Sequence, residues 1–174
     1  MQTGFGRTGE MFGASKVKVE PDMVTLAKGI GGGFPLAAVV GKAQIMDSVH
    51  DAGIGSTFGA SPISCAAALG VLDVFDNDNL LDKVKKQETI MIKSLESMKN
   101  SFEFVGDVRG YGIMKGVEIV EDKKSKVPSK ELASKIINNS KKNGLLLVNC
   151  GKEGNVIRFM AVSYTHLRAH ETDS

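Results

Sequence analysis

The sequence predicts an α/β chain in two parts, on three observations. Residues 23–27 (MVTLA) are apolar and β-branched and read as a short buried strand, ending on Lys28 and a run of glycines. Two helical segments follow, over about residues 62–75 and 80–98. From residue 100 to 160 short strands surround a single helix in the order β-β-α-β-β, the pattern of a small α+β domain. The expected organisation is therefore a larger part over residues 1–99, a small domain over 100–160, and a separate tail over 161–174.

The totals fit an ordinary soluble globular chain. Of 174 residues, 42% are hydrophobic and 24% charged. The formal charge of +2 is 22 basic minus 20 acidic residues, too balanced to argue for nucleic acid or an anionic membrane. No apolar run approaches the roughly 20 residues a membrane helix needs. Met1-Gln2-Thr3-Gly4 has neither the charged start nor the apolar core of a signal peptide. Cys65 and Cys150 lack CxxC spacing and read as free thiols in a reducing compartment. Cytoplasm is the expected location, and no metal site is expected.

Taken in order, residues 1–13 are glycine-rich. Gly4-Phe5-Gly6-Arg7-Thr8-Gly9 fits G-x-G-x-x-G, a dinucleotide fingerprint that must follow a strand and open a helix. No long helical period follows it, so a glycine-rich loop continuing from upstream chain is expected instead. Residues 14–22 are a polar link with Pro21 near its end. Residues 36–40 (LAAVV) read as a second strand closed by Gly41, and 42–50 as a short helix. Residues 53–58 (GIGSTF) form a loop, after which Ser61 caps a helix with Pro62 in its first turn. Asn77-Asp78-Asn79 breaks that helix. The next one carries Leu81, Val84, Ile92 and Leu95 on one side and lysines on the other.

In the second part, residues 102–105 read as a strand, 108–112 (VRGYG) as a glycine-flanked turn, and 114–120 as an alternating strand. A charged loop over 121–128 leads to Ser129, which caps a helix with Glu131 in its first turn and Gly144 as its stop. Residues 145–150 and 156–160 are the last two strands. The tail carries His166 and His170 at i, i+4 spacing, a possible metal pair on a helix. Its string SYTHLRAHET instead looks like the conceptual translation of a sequencing adapter, and such scars are left out of fold reasoning.

Three places invite chemistry. Lys28 is an amine at a strand end beside glycines, which permit close approach of a bulky ligand. A partly desolvated amine has a lowered pKa and attacks carbonyls, the chemistry of a Schiff base with an aldehyde cofactor. The plain alternative is a surface lysine before a flexible turn. Ser56 and Thr57 offer hydroxyls in a glycine loop, suited to a phosphate, or to an ordinary turn. Arg158 stands among Val156, Ile157, Phe159 and Met160 and calls for an anionic partner. That partner is either a protein carboxylate or a substrate carboxylate held bidentately.

Five strings together resemble the class III, pyridoxal-phosphate-dependent aminotransferases of the fold-type I superfamily. They are QTGFGRTG from Gln2, EPDMVTLAKGIGGGFPLAAVVG from Glu20, GSTFGASP from Gly55, VRGYGIMKGVE from Val108 and GNVIRF from Gly154. The resemblance runs from residue 1 to about 160. It implies the C-terminal part of such an enzyme: part of the large-domain sheet plus the small α+β domain. It implies that Lys28 carries pyridoxal 5'-phosphate as a Schiff base and that Gln2 lies near the phenolic oxygen of the ring. Ser56 and Thr57 become cofactor-binding, with Thr57 reaching the phosphate of the partner subunit in a homodimer. Arg158 becomes the substrate-carboxylate arginine, and Arg109-Gly110 the start of the small domain. Two departures stand out: Ala60-Ser61 replaces the Gly-Asn that members usually carry before the proline, and the tail replaces a proline-rich strand.

The activity so implied is transamination from an ω-amino acid to 2-oxoglutarate, with Lys28 moving the proton. CGKEGNVIRF, from Cys150, looks most like the 4-aminobutyrate branch, while the GSTF loop is also at home in the acetylornithine and ornithine branches. The aspartate that pairs with the pyridine nitrogen, the phosphate loop and the ring-stacking aromatic would precede Met1. The isolated chain is accordingly expected to bind cofactor poorly and to be inactive. A reading of another class is an inactive fragment that serves only as a binding or interaction module.

Overall fold

The computed structural model describes residues 1–51, 53–57 and 59–161. His166 and His170, with the tail that carries them, lie outside the described residues. The chain forms two compact units, Met1–Lys83 and Val84–Ser174. In order, the elements are α1 (Gly13–Lys16), β1 (Met23–Leu26), a 3₁₀ turn (Lys28–Gly31), β2 (Ala38–Gly41), α2 (Ala43–Met46), α3 (Pro62–Asn77), α4 (Leu80–Ser101), β3 (Val105–Tyr111), β4 (Met114–Ile119), α5 (Lys130–Lys142), β5 (Val148–Cys150) and β6 (Val156–Met160). Among the described residues, no helix is long and apolar enough to cross a membrane.

In the first unit, β1 and β2 pair antiparallel from Met23↔Gly41 to Leu26↔Ala38. The expected buried strand is half-exposed: Met23 and Thr25 face out and Val24 and Leu26 are partly covered. Among the described residues only β2 pairs with β1, so a single ladder covers its edge. Helix α3 starts with Pro62 after Ser61, as expected, yet the Ser61 hydroxyl makes no capping bond. Its apolar residues are spread around the axis. Phe75 is buried, while Ile63, Leu69, Leu72 and Val74 remain exposed. The break at residues 78–79 is sharp because Asn79 adopts a left-handed φ of 49°, which asparagine tolerates better than most residues.

In the second unit, four strands form one antiparallel sheet in the order β3-β4-β6-β5. Leu95 from α4, Ala133 from α5, and Val105, Val108, Val117, Ile119 and Ile157 from the sheet form one buried core. Odd-numbered positions of β4 and β6 face this core, as the two-residue strand period requires. The expected turn over residues 108–112 is instead the second half of β3. Arg109, Gly110 and Tyr111 pair with Gly116, Lys115 and Met114. Glycine is needed at 110 because a Cβ there would lie 2.2 Å from the Met114 carbonyl oxygen, and φ is +124°. Close approach of two strands, not a loop, explains it. The expected strand over 102–105 accordingly begins only at Val105, and that over 145–150 only at Val148.

A buried ion pair ties the β3–β4 hairpin to α4. Lys115, only 4% exposed, donates from Nζ to Glu88 Oε1 at 2.8 Å and to the Gly110 carbonyl at 2.9 Å. The same Glu88 oxygen accepts the Gly112 N–H at 2.8 Å. Removing one partner strands a buried charge. Glu88→Ala is therefore expected to lower unfolding free energy by about 2–3 kcal/mol in urea denaturation, with Glu88→Gln losing less because it keeps an acceptor for Gly112. An unchanged midpoint for Glu88→Ala would refute this role.

Candidate functional site

The segment between β1 and β2 is where the first unit presents a reactive group. Ala27 continues β1 in extended conformation, with φ −165° and ψ −170°. Lys28 then turns into the left-handed region at φ +60°. A side chain there costs roughly 1–2 kcal/mol relative to the right-handed form. The 3₁₀ turn Lys28–Gly31 ends on Gly32 at φ +57°. Lys28 is exposed, and among the described residues its amine has no hydrogen-bond or ion-pair partner. A strained, unpartnered lysine at a strand end points to function rather than to packing.

The glycines have reasons of their own. A Cβ on Gly29 would lie 3.1 Å from the Phe5 Cβ, and one on Gly32 would lie 2.9 Å from Val71 Cγ2 of α3. Two glycines thus make room for the protein's own side chains, where the sequence reading left them to a ligand. Of the glycines between residues 29 and 33, only Gly33, at φ +112°, meets nothing within 4 Å.

Phe5 belongs to the loop over residues 1–12, which carries Gln2. The loop folds on itself through the Phe5 N–H to the Met11 carbonyl at 2.7 Å, and the Gly9 N–H to the Gly6 carbonyl at 2.9 Å. Phe5 makes edge contacts with Phe12 and Phe75, each at 6.2 Å between ring centres. Gly6 is glycine because a Cβ would press on the Phe75 ring at 3.0 Å. The G-x-G-x-x-G string is therefore a turn packed on aromatics, followed only by the four-residue α1, and it opens no dinucleotide-type helix. Met1, Thr3, Gly4 and Phe5 line a cavity of about 220 Å³ together with Thr25 and Leu26 of β1. The loop bearing Gln2 thus lies alongside the strand that ends in Lys28, and Gln2 itself is exposed.

Ser56 and Thr57 sit on an exposed loop before α3. The Gly59 N–H donates to the Ser56 carbonyl at 3.0 Å, and neither hydroxyl has a partner among the described residues. Ala60 adopts φ +54°, a conformation that glycine would take without strain.

In the second unit, Arg158 lies at the centre of β6, facing away from the core that holds Val117 and Ile157. It is half-buried and has no ion pair or hydrogen bond among the described residues. The protein carboxylates of this sheet are engaged elsewhere. Arg109 Nη1 donates to Glu118 Oε2 at 2.7 Å and to Asp107 Oδ2 at 3.2 Å. The hydrogen bond it donates to Glu118 raises the Arg109 pKa above its ordinary value; burial opposes this, and the bond to Asp107 adds to the rise. Burial pushes the Asp107 carboxyl upward, but hydrogen bonds from Lys99 and Arg109 outweigh it and hold the pKa below its usual value. Sequence reasoning missed this Asp107–Arg109–Glu118 cluster and the Lys115–Glu88 pair. The i, i+2 alternation of Asp107 and Arg109 was its only trace.

A family model described as "Aminotransferase class-III" matches residues 1–171. The chain is 42% identical over 160 residues to 5-aminovalerate aminotransferase DavT of Pseudomonas aeruginosa, covering 92% of this chain and 38% of that protein. It is 41% identical over 160 residues to 4-aminobutyrate aminotransferase GabT of Escherichia coli, again covering 92% and 38%. Among solved structures it matches a transaminase from the marine bacterium Virgibacillus with a TM-score of 0.87 and 30% identity, over 94% of this chain and 39% of that one. The chain thus spans about two fifths of the length of the relatives it matches.

The strain at Lys28 makes a testable prediction. Lys28→Gly is expected to raise stability by about 0.5–1 kcal/mol in thermal denaturation, whereas Lys28→Ala, which keeps a Cβ, gains nothing. Equal stability of the two variants would show that the backbone at 28 is relaxed.

Proposed function

This chain belongs to the class III aminotransferase family, with the α/β fold of fold-type I enzymes, and from that premise we propose that it is the C-terminal part of a pyridoxal-phosphate-dependent transaminase. The full-length protein moves an amino group from an ω-amino acid to 2-oxoglutarate. The observation that carries this reading is the Lys28 amine: exposed, unpartnered among the described residues, and held at φ +60° at the end of β1.

The residues present fit pyridoxal phosphate in their chemistry. Lys28 supplies a primary amine for its aldehyde. Gln2, on the loop beside β1, supplies an amide donor for the phenolic oxygen. Ser56 and Thr57 supply exposed hydroxyls for a phosphate, in this reading that of the partner subunit in a homodimer. When bound, the cofactor supplies an electron-withdrawing ring that takes up the electron pair left on the substrate carbon. Lys28 Nζ, once free, would take the proton from that carbon and deliver it to the carbon that had been the cofactor's aldehyde, the transfer that moving an amino group requires. Arg158 orients the substrate carboxylate, a role supported by its lack of a protein partner among the described residues.

Two of the relatives are named for unsubstituted ω-amino acids, 4-aminobutyrate and 5-aminovalerate, which favours this donor class over ornithine and acetylornithine. The site is a cytoplasmic enzyme's in this reading, consistent with two free cysteines. The alternative, a fragment serving only as an interaction module, predicts no turnover at any length.

The test is a donor panel on the full-length protein, with glutamate formation from 2-oxoglutarate as the readout. 4-Aminobutyrate and 5-aminovalerate should give higher kcat/KM than ornithine or acetylornithine. Lys28→Ala should lower kcat by at least about 100-fold. Undiminished transamination by that variant would overturn the assignment.

A further inference from the structure

We propose that Gly116 determines access to Arg158: by carrying no side chain of its own it leaves a seat, flanked by Val156, in which a substrate carboxylate meets the guanidinium. The inference rests on the carboxylate-binding reading of Arg158 given above, and it names the residue that lets that reading work.

The register places the residues. Gly116 of β4 pairs with Arg158 of β6, and Arg109 of β3 pairs with Gly116. Directly paired residues of antiparallel strands point to one face. Arg109, Gly116 and Arg158 therefore form one row across the sheet, on the face turned away from Val117 and Ile157 in the core. The two arginine backbones stand roughly 10 Å apart, two strand spacings, and position 116 between them contributes no side chain of its own. A Cβ at 116 would meet Val156 Cγ1 at 3.1 Å and the Arg109 carbonyl oxygen at 4.0 Å, and no atom of Arg158 within 4 Å. The guanidinium does not fold over to fill the gap.

The two flanking cations are not equivalent. Arg109 gives one nitrogen to both Glu118 and Asp107, and its charge is compensated. Arg158 has no such partner among the described residues. An anion seated over Gly116 therefore meets one uncompensated guanidinium beside a neutralised one. That arrangement selects a single carboxylate, held bidentately from one side. A larger residue at 116 would occupy the seat without touching the charge. The competing explanation is packing alone, since Val156 already crowds this position. Packing alone predicts that relieving Val156 restores everything.

The experiment uses the full-length holoenzyme, with Gly116→Val, the double variant Gly116→Val/Val156→Ala that removes the crowding Val156 methyls, and Arg158→Ala. The probe is glutarate, a dicarboxylate with no reacting group, titrated by calorimetry, alongside kcat and KM for 2-oxoglutarate. A seat at Gly116 predicts that the double variant folds, keeps kcat within about twofold, and weakens glutarate binding and raises KM by at least about tenfold. Wild-type affinity in the double variant, with Arg158→Ala impaired, overturns the role of Gly116 while leaving that of Arg158 standing. Wild-type affinity in Arg158→Ala overturns the Arg158 reading and this inference with it. A double variant that does not fold would mean that Gly116 serves packing, and would also overturn the proposal.

Discussion

The turn that follows β1 is clamped from two sides, and what the first unit offers chemically depends on that clamp. Phe5 presses on Gly29 and Val71 presses on Gly32. A Cβ at either glycine would force one of these contacts apart. Between them the backbone has little room to relax, so Lys28 keeps a left-handed conformation that a free lysine avoids. Such strain persists only where surrounding packing over-determines it. The aromatic cluster of Phe5, Phe12 and Phe75 supplies that packing, and it also fixes the loop that bears Gln2 beside β1.

The second unit solves a different problem. Its sheet covers one face with α4 and α5 and carries Asp107, Arg109, Glu118 and Arg158 on the other. Charges on the polar face are sorted by pairing. Asp107 and Glu118 satisfy Arg109, and Lys115 and Glu88 satisfy each other at the edge of the core. Arg158, half-buried and without a partner among the described residues, suits an anion from outside the unit.

Much of this was legible in the sequence where local chemistry decided the outcome. Pro62 after Ser61, Gly144 after a basic last turn, and the alternation of residues 114–119 each mark their element without help from distant contacts. Lys28 and Arg158 stood out because each breaks an apolar run. The failures share a cause. Gly110 reads as a turn in isolation, yet a strand passes within 2.2 Å of its Cβ position and makes it a sheet residue. The glycines at 29 and 32 look like ligand space, yet side chains distant in sequence fill it. The Lys115–Glu88 pair spans 27 residues and leaves no local periodicity. Long-range contacts of this kind are invisible to spacing and propensity.

The central claim is that one nitrogen, Lys28 Nζ, carries the cofactor aldehyde. The most direct measurement is borohydride reduction of the full-length protein loaded with pyridoxal phosphate, followed by proteolysis and mass spectrometry of the labelled peptide. The account predicts a single reduced phosphopyridoxyl group on Lys28. A label on any other lysine, or none on a protein that turns over, would contradict it.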